Sequence, residues 1–390
     1  MRLAERRQGL DELLSAFREL WHPQPFREIR PEWCERWPAL RDELLALPEA
    51  DVAHLNDDGG AALALLARHV PGLTGVAGLA ELPKMPDTEP PGLNKRWAWE
   101  IPGRKQRQIE AFAVAAQGGD RPILDWCGGQ GHLGRLLALA WQRPVHTLEI
   151  DAVLCAAGAG LARRAGADQQ FVVADALSVA DWPRAGQHAV ALHACGELHR
   201  RLIREGVGKG VARFDVAPCC YYRGVGERYQ PMSGDGRLVL TRDDTRLAVT
   251  ETVTSAPRET RQRDRAMAWK LGFDAYRRAV SGNEYRSFKP VPEAWVRADF
   301  AEFLARMAER EGLPLPSARA AVEFEERGQQ RRGEVMRLSV VRHAFRRAIE
   351  IWLALDLACH LAENGYVVVL GSFCERRLTP RNLLISARLA

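Results

Sequence analysis

Apolar positions change their period near residue 100, and the change divides the chain. In residues 1–22, Leu3, Leu10, Leu13, Leu14, Phe17 and Leu20 share one helical stripe, stopped by His22-Pro23-Gln24-Pro25. Residues 31–47 predict a second helix, with Pro31 suited to a first turn and Trp33, Trp37, Leu40, Leu44 and Leu47 on one side. A third helix follows the capping cluster Asn56-Asp57-Asp58 and runs through 61–70. Glycines and prolines then thicken from Pro71 to Gly92, predicting a loop or linker. Residues 1–93 therefore read as a helical N-terminal domain.

From Gly103 a helix leads into alternating strands and helices. Strands are expected at the apolar run ending in Asp125, at 144–150, 171–174, 188–194 and 214–217. Helices are expected at 152–164 and 197–205. This βα alternation implies a parallel, doubly wound sheet. Near the end, 338–363 predicts a long helix, and 366–370 and 383–389 predict two strands. The connection between those strands, containing Pro380, is too short for a helical crossover, so they should pair antiparallel. Residues 94–222 and 338–390 thus form one α/β domain, and 223–337 an insertion with helices near 257–280, 293–311 and 317–331.

In an open α/β sheet, ligands bind beyond the carboxyl ends of the strands. The first strand runs into Asp125-Trp126-Cys127-Gly128-Gly129-Gln130-Gly131-His132-Leu133, a tight turn that opens a helix. Such a turn lets a ligand approach the backbone and offers it free N–H groups. About twenty residues on, Glu149 ends strand two, where an acid accepts ribose hydroxyls. Asp175 ends strand three, placed to accept an adenine amino group. Strand four ends in His193-Ala194-Cys195-Gly196, with Glu197 and His199 beyond, and strand five in Cys219-Cys220-Tyr221-Tyr222. His193, Glu197 or His199 would serve as base toward a hydroxyl. A thiolate at Cys219 or Cys220 would attack a pyrimidine ring. Ordinary packing of small residues in tight turns stands beside that reading. Tyr221 and Tyr222 would wall an acceptor pocket.

The combination DWCGGQGHLGRLLA, LHACGEL and APCCYY resembles a family of S-adenosylmethionine (SAM)-dependent methyltransferases that includes the methyltransferase half of the glutathione-S-transferase C-terminal-domain-containing protein. A more distant likeness is to tRNA 2′-O-methyltransferases with an HLCG-type stretch and a double cysteine. GRKQRQIEAF is similar to the Lys-containing helix before the first motif there, and LTPRNLLI to the closing strand. The resemblance implies a Rossmann-like class I methyltransferase fold, with a seven-stranded sheet whose last strand is antiparallel. It also implies SAM as cofactor. The expected cofactor contacts are Lys105, Asp125, Cys127, Gly128, Gly129, Gly131, His132, Leu133, Glu149, Ile150, Asp175, Ala176 and His193. The catalytic candidates are His193, Cys195, Glu197, Cys219, Cys220 and Tyr221. One departure stands out: where many amino-group methyltransferases carry an Asn/Asp-Pro-Pro-aromatic turn, this chain has His193-Ala194-Cys195-Gly196.

Composition narrows the partners. With 390 residues, 46% of them apolar, the chain has material for two or three domains and a sizeable core. It has no run of eighteen apolar residues and no secretory signal pattern, so a cytoplasmic protein without a membrane span is expected. Its eight cysteines show no CxxC pair, so neither a disulfide framework nor a metal site is expected from spacing. The net charge of +5 is uneven: 1–93 carry 10 Lys/Arg against 16 Asp/Glu, and 223–347 carry 25 against 18. The insertion also mixes Arg258, Arg261, Arg265, Arg277 and Arg278 with Trp269, Tyr276, Tyr285 and Phe288. Cations neutralise phosphates and flat rings stack on bases, so RNA, tRNA first, is the expected partner of 223–337. The bland counterpart is a solvated helix face over core aromatics.

Overall fold

The computed structural model describes residues 1–86, 95–234, 236–250, 257–282 and 284–390. Its centre is a seven-stranded sheet: β1 (Ile123–Trp126), β2 (Val145–Glu149), β3 (Gln169–Val173), β4 (His188–Cys195), β5 (Arg213–Cys219), β6 (Tyr366–Ser372) and β7 (Leu383–Leu389). The spatial order is β3-β2-β1-β4-β5-β7-β6. β7 runs antiparallel to both of its neighbours, and the other neighbouring pairs are parallel. This is the Rossmann-like class I form expected from the chain. The strand order reverses between β1 and β4, which opens the crevice where such sheets bind ligands. All four residues of β1 are buried, as a strand covered on both faces requires.

The chain separates into two compact units. One comprises Met1–Ala16, Gly75–Thr254 and Arg346–Ala390; the other comprises Phe17–Thr74 and Ser255–Phe345. These differ from the boundaries drawn at 93, 222 and 337, the first of which lies outside the described residues. The helix Leu3–Ala16 belongs to the sheet-bearing unit. Its buried Asp11 accepts hydrogen bonds from the Arg237 and Leu238 amides and from Trp352 Nε1 on the helix Arg346–Glu363. That helix also buries Asp356, which accepts from Tyr229 Oη at 2.8 Å, the Met232 and Ser233 amides and Ser233 Oγ. Two buried carboxylates thus anchor the chain that follows β5.

The second unit joins the rest of the N-terminal region to most of the insertion. Its helix Ala318–Ala344 packs on Glu49–Asp57 and Gly59–Ala67, and on Pro257–Ser281. Gly328 permits this last contact, because a Cβ there would lie 2.4 Å from the Ala268 carbonyl oxygen. Trp269, Phe273, Tyr276, Phe300, Phe303 and Phe324 form its core. Two of the aromatics expected to stack on bases, Trp269 and Tyr276, are therefore interior. Arg277 is buried against Asp274 and Glu311. The unit carries 24 Lys/Arg and 23 Asp/Glu, so the acidic segment 17–74 offsets the basic excess of 255–345.

Helix limits differ in places. The helices expected at 317–331 and 338–363 are Ala318–Ala344 and Arg346–Glu363, divided at Phe345 rather than over 332–337. The helix expected at 293–311 splits at Asp299, whose side chain caps Phe300–Glu311. Helices Glu49–Asp57 and Thr74–Leu79 were not anticipated, the second falling in the stretch read as linker. The end of that linker, 87–92, lies outside the described residues. Among the described residues no helix is long and apolar enough to cross a membrane.

Candidate active site

The glycine turn is fixed from beneath by a chain of buried polar groups. Asp125 Oδ2 accepts from the Gly134 amide and from Thr147 Oγ1, both at 3.2 Å. Gln169 Nε2 donates to Thr147 Oγ1 at 2.7 Å and to the Gly131 carbonyl at 2.9 Å. No side chain fits here: a Cβ on Gly128 would sit 2.3 Å from Asp125 Oδ2, and one on Gly131 2.3 Å from Gln169 Nε2. Gly129 differs, with φ +59° and open space where its Cβ would be. Burial raises the Asp125 pKa to about 6, although the Gly134 and Thr147 hydrogen bonds oppose the shift. Asp125 thus secures the turn as well as lining the pocket above it.

That pocket, of about 290 Å³, is also lined by Lys105, Cys127, Gly128, Gly129, His132, Leu133 and Leu192. Lys105 has its pKa lowered by burial, against the pull of Asp125 and Cys219. Cys127 adopts φ +56°, and burial beside Glu149 and Asp125 pushes its thiol up to about 12, so it stays protonated. His132 accepts from Arg135 at Nδ1, and burial with Arg135 nearby lowers it to about 4.

Glu149 faces the turn. Its Oε2 accepts the Gly129 amide at 3.0 Å, and its Oε1 accepts the Ile150 and Asp151 amides. A carboxylate offers about four lone-pair sites, so acceptor capacity remains for a ribose hydroxyl. Asp175 holds its own turn through the Leu177 amide at 2.8 Å. Ile150 and Leu177, 64% and 44% exposed beyond β2 and β3, are apolar surface suited to the two faces of a purine. Ala176 is buried beside Leu177. An uncrowded glycine, an acid beyond β2 and exposed apolar groups beyond β2 and β3 fit the adenosine end of SAM.

The β4 and β5 ends are built differently. β4 shifts register between Leu192 and Cys195, and within that irregularity His193 takes φ +66°. Its Nδ1 is buried with no hydrogen-bond partner. Burial, with Lys105 and Arg381 nearby, lowers the imidazole to about 4, so it is neutral at pH 7. Cys195 Sγ lies 3.5 Å from Cys219 Sγ, and both sit with Cys220 Sγ inside a 4.8 Å group. The thiols of Cys195 and Cys219 and the cations of Arg223 and Arg381 favour thiolate at Cys220, lowering its pKa, while Cys195 and Cys219 are raised.

Three candidates stand apart from this group. Glu197 is engaged by Arg200 at 3.2 Å and Arg204 at 2.9 Å. His199 is fully buried; its Nδ1 bonds the Ala194 carbonyl, and its ring meets Tyr221 edge-on. Tyr221 is 1% exposed and so cannot wall an open acceptor pocket; Tyr222, half-buried under Arg246, remains at the edge. Sequence reasoning missed Arg381, although it stands in the LTPRN stretch, and Leu177. Thr147 and Gln169 carried no local signal.

The strand order, the reversed β7 and the glycine turn facing an acid on β2 define the fold of class I SAM-dependent methyltransferases. Residues 104–224 match the family described as a methyltransferase domain. No curated protein matches the chain. Similar solved structures include geranyl diphosphate methyltransferase with SAM, at 18% identity and a TM-score of 0.26, covering 32% of this chain and 55% of that one. An rRNA methylase from Streptococcus thermophilus gives 11% and 0.24, covering 36% and 94%. The glycopeptide N-methyltransferase MtfA with SAM gives 19% and 0.24, covering 36% and 66%. This chain's match spans about half the length of two geranyl diphosphate methyltransferase structures, 44% and 55%. At these TM-scores none of them bears on the substrate.

SAM, when bound, supplies a methyl group already activated by its sulfonium. The chain's own residues then have to seat it, align an acceptor and exclude water. Gly128, Gly129 and Glu149 would hold the nucleoside end. His193, neutral and with its buried Nδ1 unengaged, would take a hydrogen bond from an acceptor O–H or N–H that displaced the groups covering it.

Proposed function

We propose that the chain methylates an RNA, with the acceptor placed over the ends of β4 and β5. The observation that carries this reading is a cationic rim. Lys105 and Arg381 act electrostatically on His193, and Arg223 and Arg381 on Cys220. None of the three forms an ion pair with a carboxylate among the described residues. A nucleic acid brings phosphates to within reach of the base or ribose being modified, and unpaired cations around the acceptor position suit that charge. This support lies in the sheet-bearing unit, not in the charge of the helical unit. Transfer RNA comes first among RNAs because of the tRNA-enzyme resemblance in the strand-four and strand-five motifs.

The test is tritiated SAM offered to total RNA and, separately, to total protein from a deletion strain. Label in the tRNA fraction is expected, together with binding that weakens steeply as salt rises. Label confined to protein or to small molecules would overturn the reading, as would no RNA binding at low salt.

A further inference from the structure

We propose that Cys195, Cys219 and Cys220 form a three-thiolate site for one thiophilic divalent cation of the zinc class, with a water or an acceptor atom completing the coordination. The inference goes beyond methyl transfer and does not depend on the RNA reading. Zinc–sulfur bonds of about 2.3 Å in tetrahedral geometry set sulfur atoms roughly 3.8 Å apart. Here two sulfurs are 3.5 Å apart and all three lie within 4.8 Å of one another, so small side-chain rotations suffice.

Three further observations separate this cluster from chance packing. Successive side chains of a strand point to opposite faces, so neighbouring cysteines should diverge. Cys220 instead adopts φ +45°, an uncommon conformation for a residue with a Cβ, and its sulfur joins that of Cys219. The frame around the cluster is rigid. The Gly196 amide bonds the Cys219 carbonyl at 3.0 Å and the Glu197 amide the Arg223 carbonyl at 3.0 Å. Gly196 allows that closure, since a Cβ there would fall 2.0 Å from the Arg223 carbonyl oxygen. The surrounding charge is also favourable. Three thiolates around a divalent ion leave one negative charge, and Arg223 and Arg381 both act on Cys220. Loading the site releases the thiol protons to solvent, with no change of oxidation state.

Sequence spacing argued against a metal because the ligands come from two strands, 24 residues apart between Cys195 and Cys219. The parallel pairing places Cys195 directly opposite Cys219.

The experiment uses the full chain, purified under reducing conditions and reconstituted with zinc or cobalt. One metal per chain by elemental mass spectrometry is expected, with the charge-transfer intensity of about three cobalt–thiolate bonds and the visible bands of a tetrahedral ion. Cys220→Ser should weaken zinc binding by roughly 100-fold or more, and Cys374→Ser should leave it unchanged. Absence of stoichiometric metal, or cobalt bound without thiolate charge transfer, would overturn the proposal. So would unchanged binding by a triple Cys195/Cys219/Cys220→Ser variant. If that variant does not fold, the cobalt spectrum of the unaltered chain decides alone.

Discussion

The two halves of the strand-end crevice are held by opposite means. Beyond β1, β2 and β3, the carboxylates are engaged by the protein itself: Asp125 by Gly134 and Thr147, Glu149 by three amides, Asp175 by Leu177. Beyond β4 and β5, among the described residues, no carboxylate lines the crevice floor in that way. The structure places there the partnerless Nδ1 of His193, itself at positive φ, and three crowded sulfurs, whereas the first half has Cys127 at positive φ and a partnerless Gln169 Oε1 beneath its turn. Buried polar groups without partners and strained backbone cost free energy, of the order of 1–3 kcal/mol each. They persist where the surroundings force them, and such places are enriched in function. The first half is thus a preformed seat, and the second is where chemistry is expected.

That contrast can be broken in the seat first. Gly128→Ala puts a Cβ against Asp125 and Thr147, so SAM affinity measured by calorimetry should drop roughly 100-fold or more, about 3 kcal/mol. Gly129→Ala meets no atom and costs only the left-handed backbone, about 1–2 kcal/mol. Equal losses in the two would mean that crowding does not shape the turn.

In the chemical half, His193→Ala should slow methyl transfer by about 10²-fold or more, the usual scale for a group that handles the acceptor's proton. SAM affinity should change by less than about threefold, on the scale of RT. A loss carried wholly by SAM binding would move His193 into the seat.

The smallest effect concerns pH. The Asp125 pKa is raised from 3.8 unfolded to about 6 folded. Its contribution is therefore fully present below pH 3.8 and is lost as pH rises through 6, so this group makes stability fall with pH over that window. In Asp125→Asn that slope should disappear from denaturation curves taken between pH 4 and 6. A slope unchanged by the substitution would mean that Asp125 titrates normally.

Much of the sheet was legible because its signals are local. A short apolar run, a glycine turn and an amphipathic helix each announce themselves within a dozen residues. The seat could be read the same way, since Gly128, Gly129 and Glu149 stand at spacings set by one βαβ unit. The thiol group could not, because Cys195 and Cys219 meet only through strand pairing. The helical unit was misjudged for a related reason. Adjacent segments usually pack together, yet Leu3–Ala16 joins the far C-terminal helix, and Ala318–Ala344 joins Glu49–Asp57. The arginine–aromatic mixture was ambiguous in sequence, since a core ring such as Trp269 and a base-stacking ring look alike until burial is known.

The alternation of the chain between units also sets a timetable for synthesis. Phe17–Thr74 leaves the ribosome long before its partner Ser255–Phe345 exists. The gap is about 180 residues, or roughly 10–40 s at usual elongation rates. During that interval Leu40, Leu44 and Leu66, fully buried in the finished protein, have no completed unit to enter. Those side chains wait for Ser255–Phe345 before their packing can be completed, and slowing elongation after residue 74 should lengthen the wait.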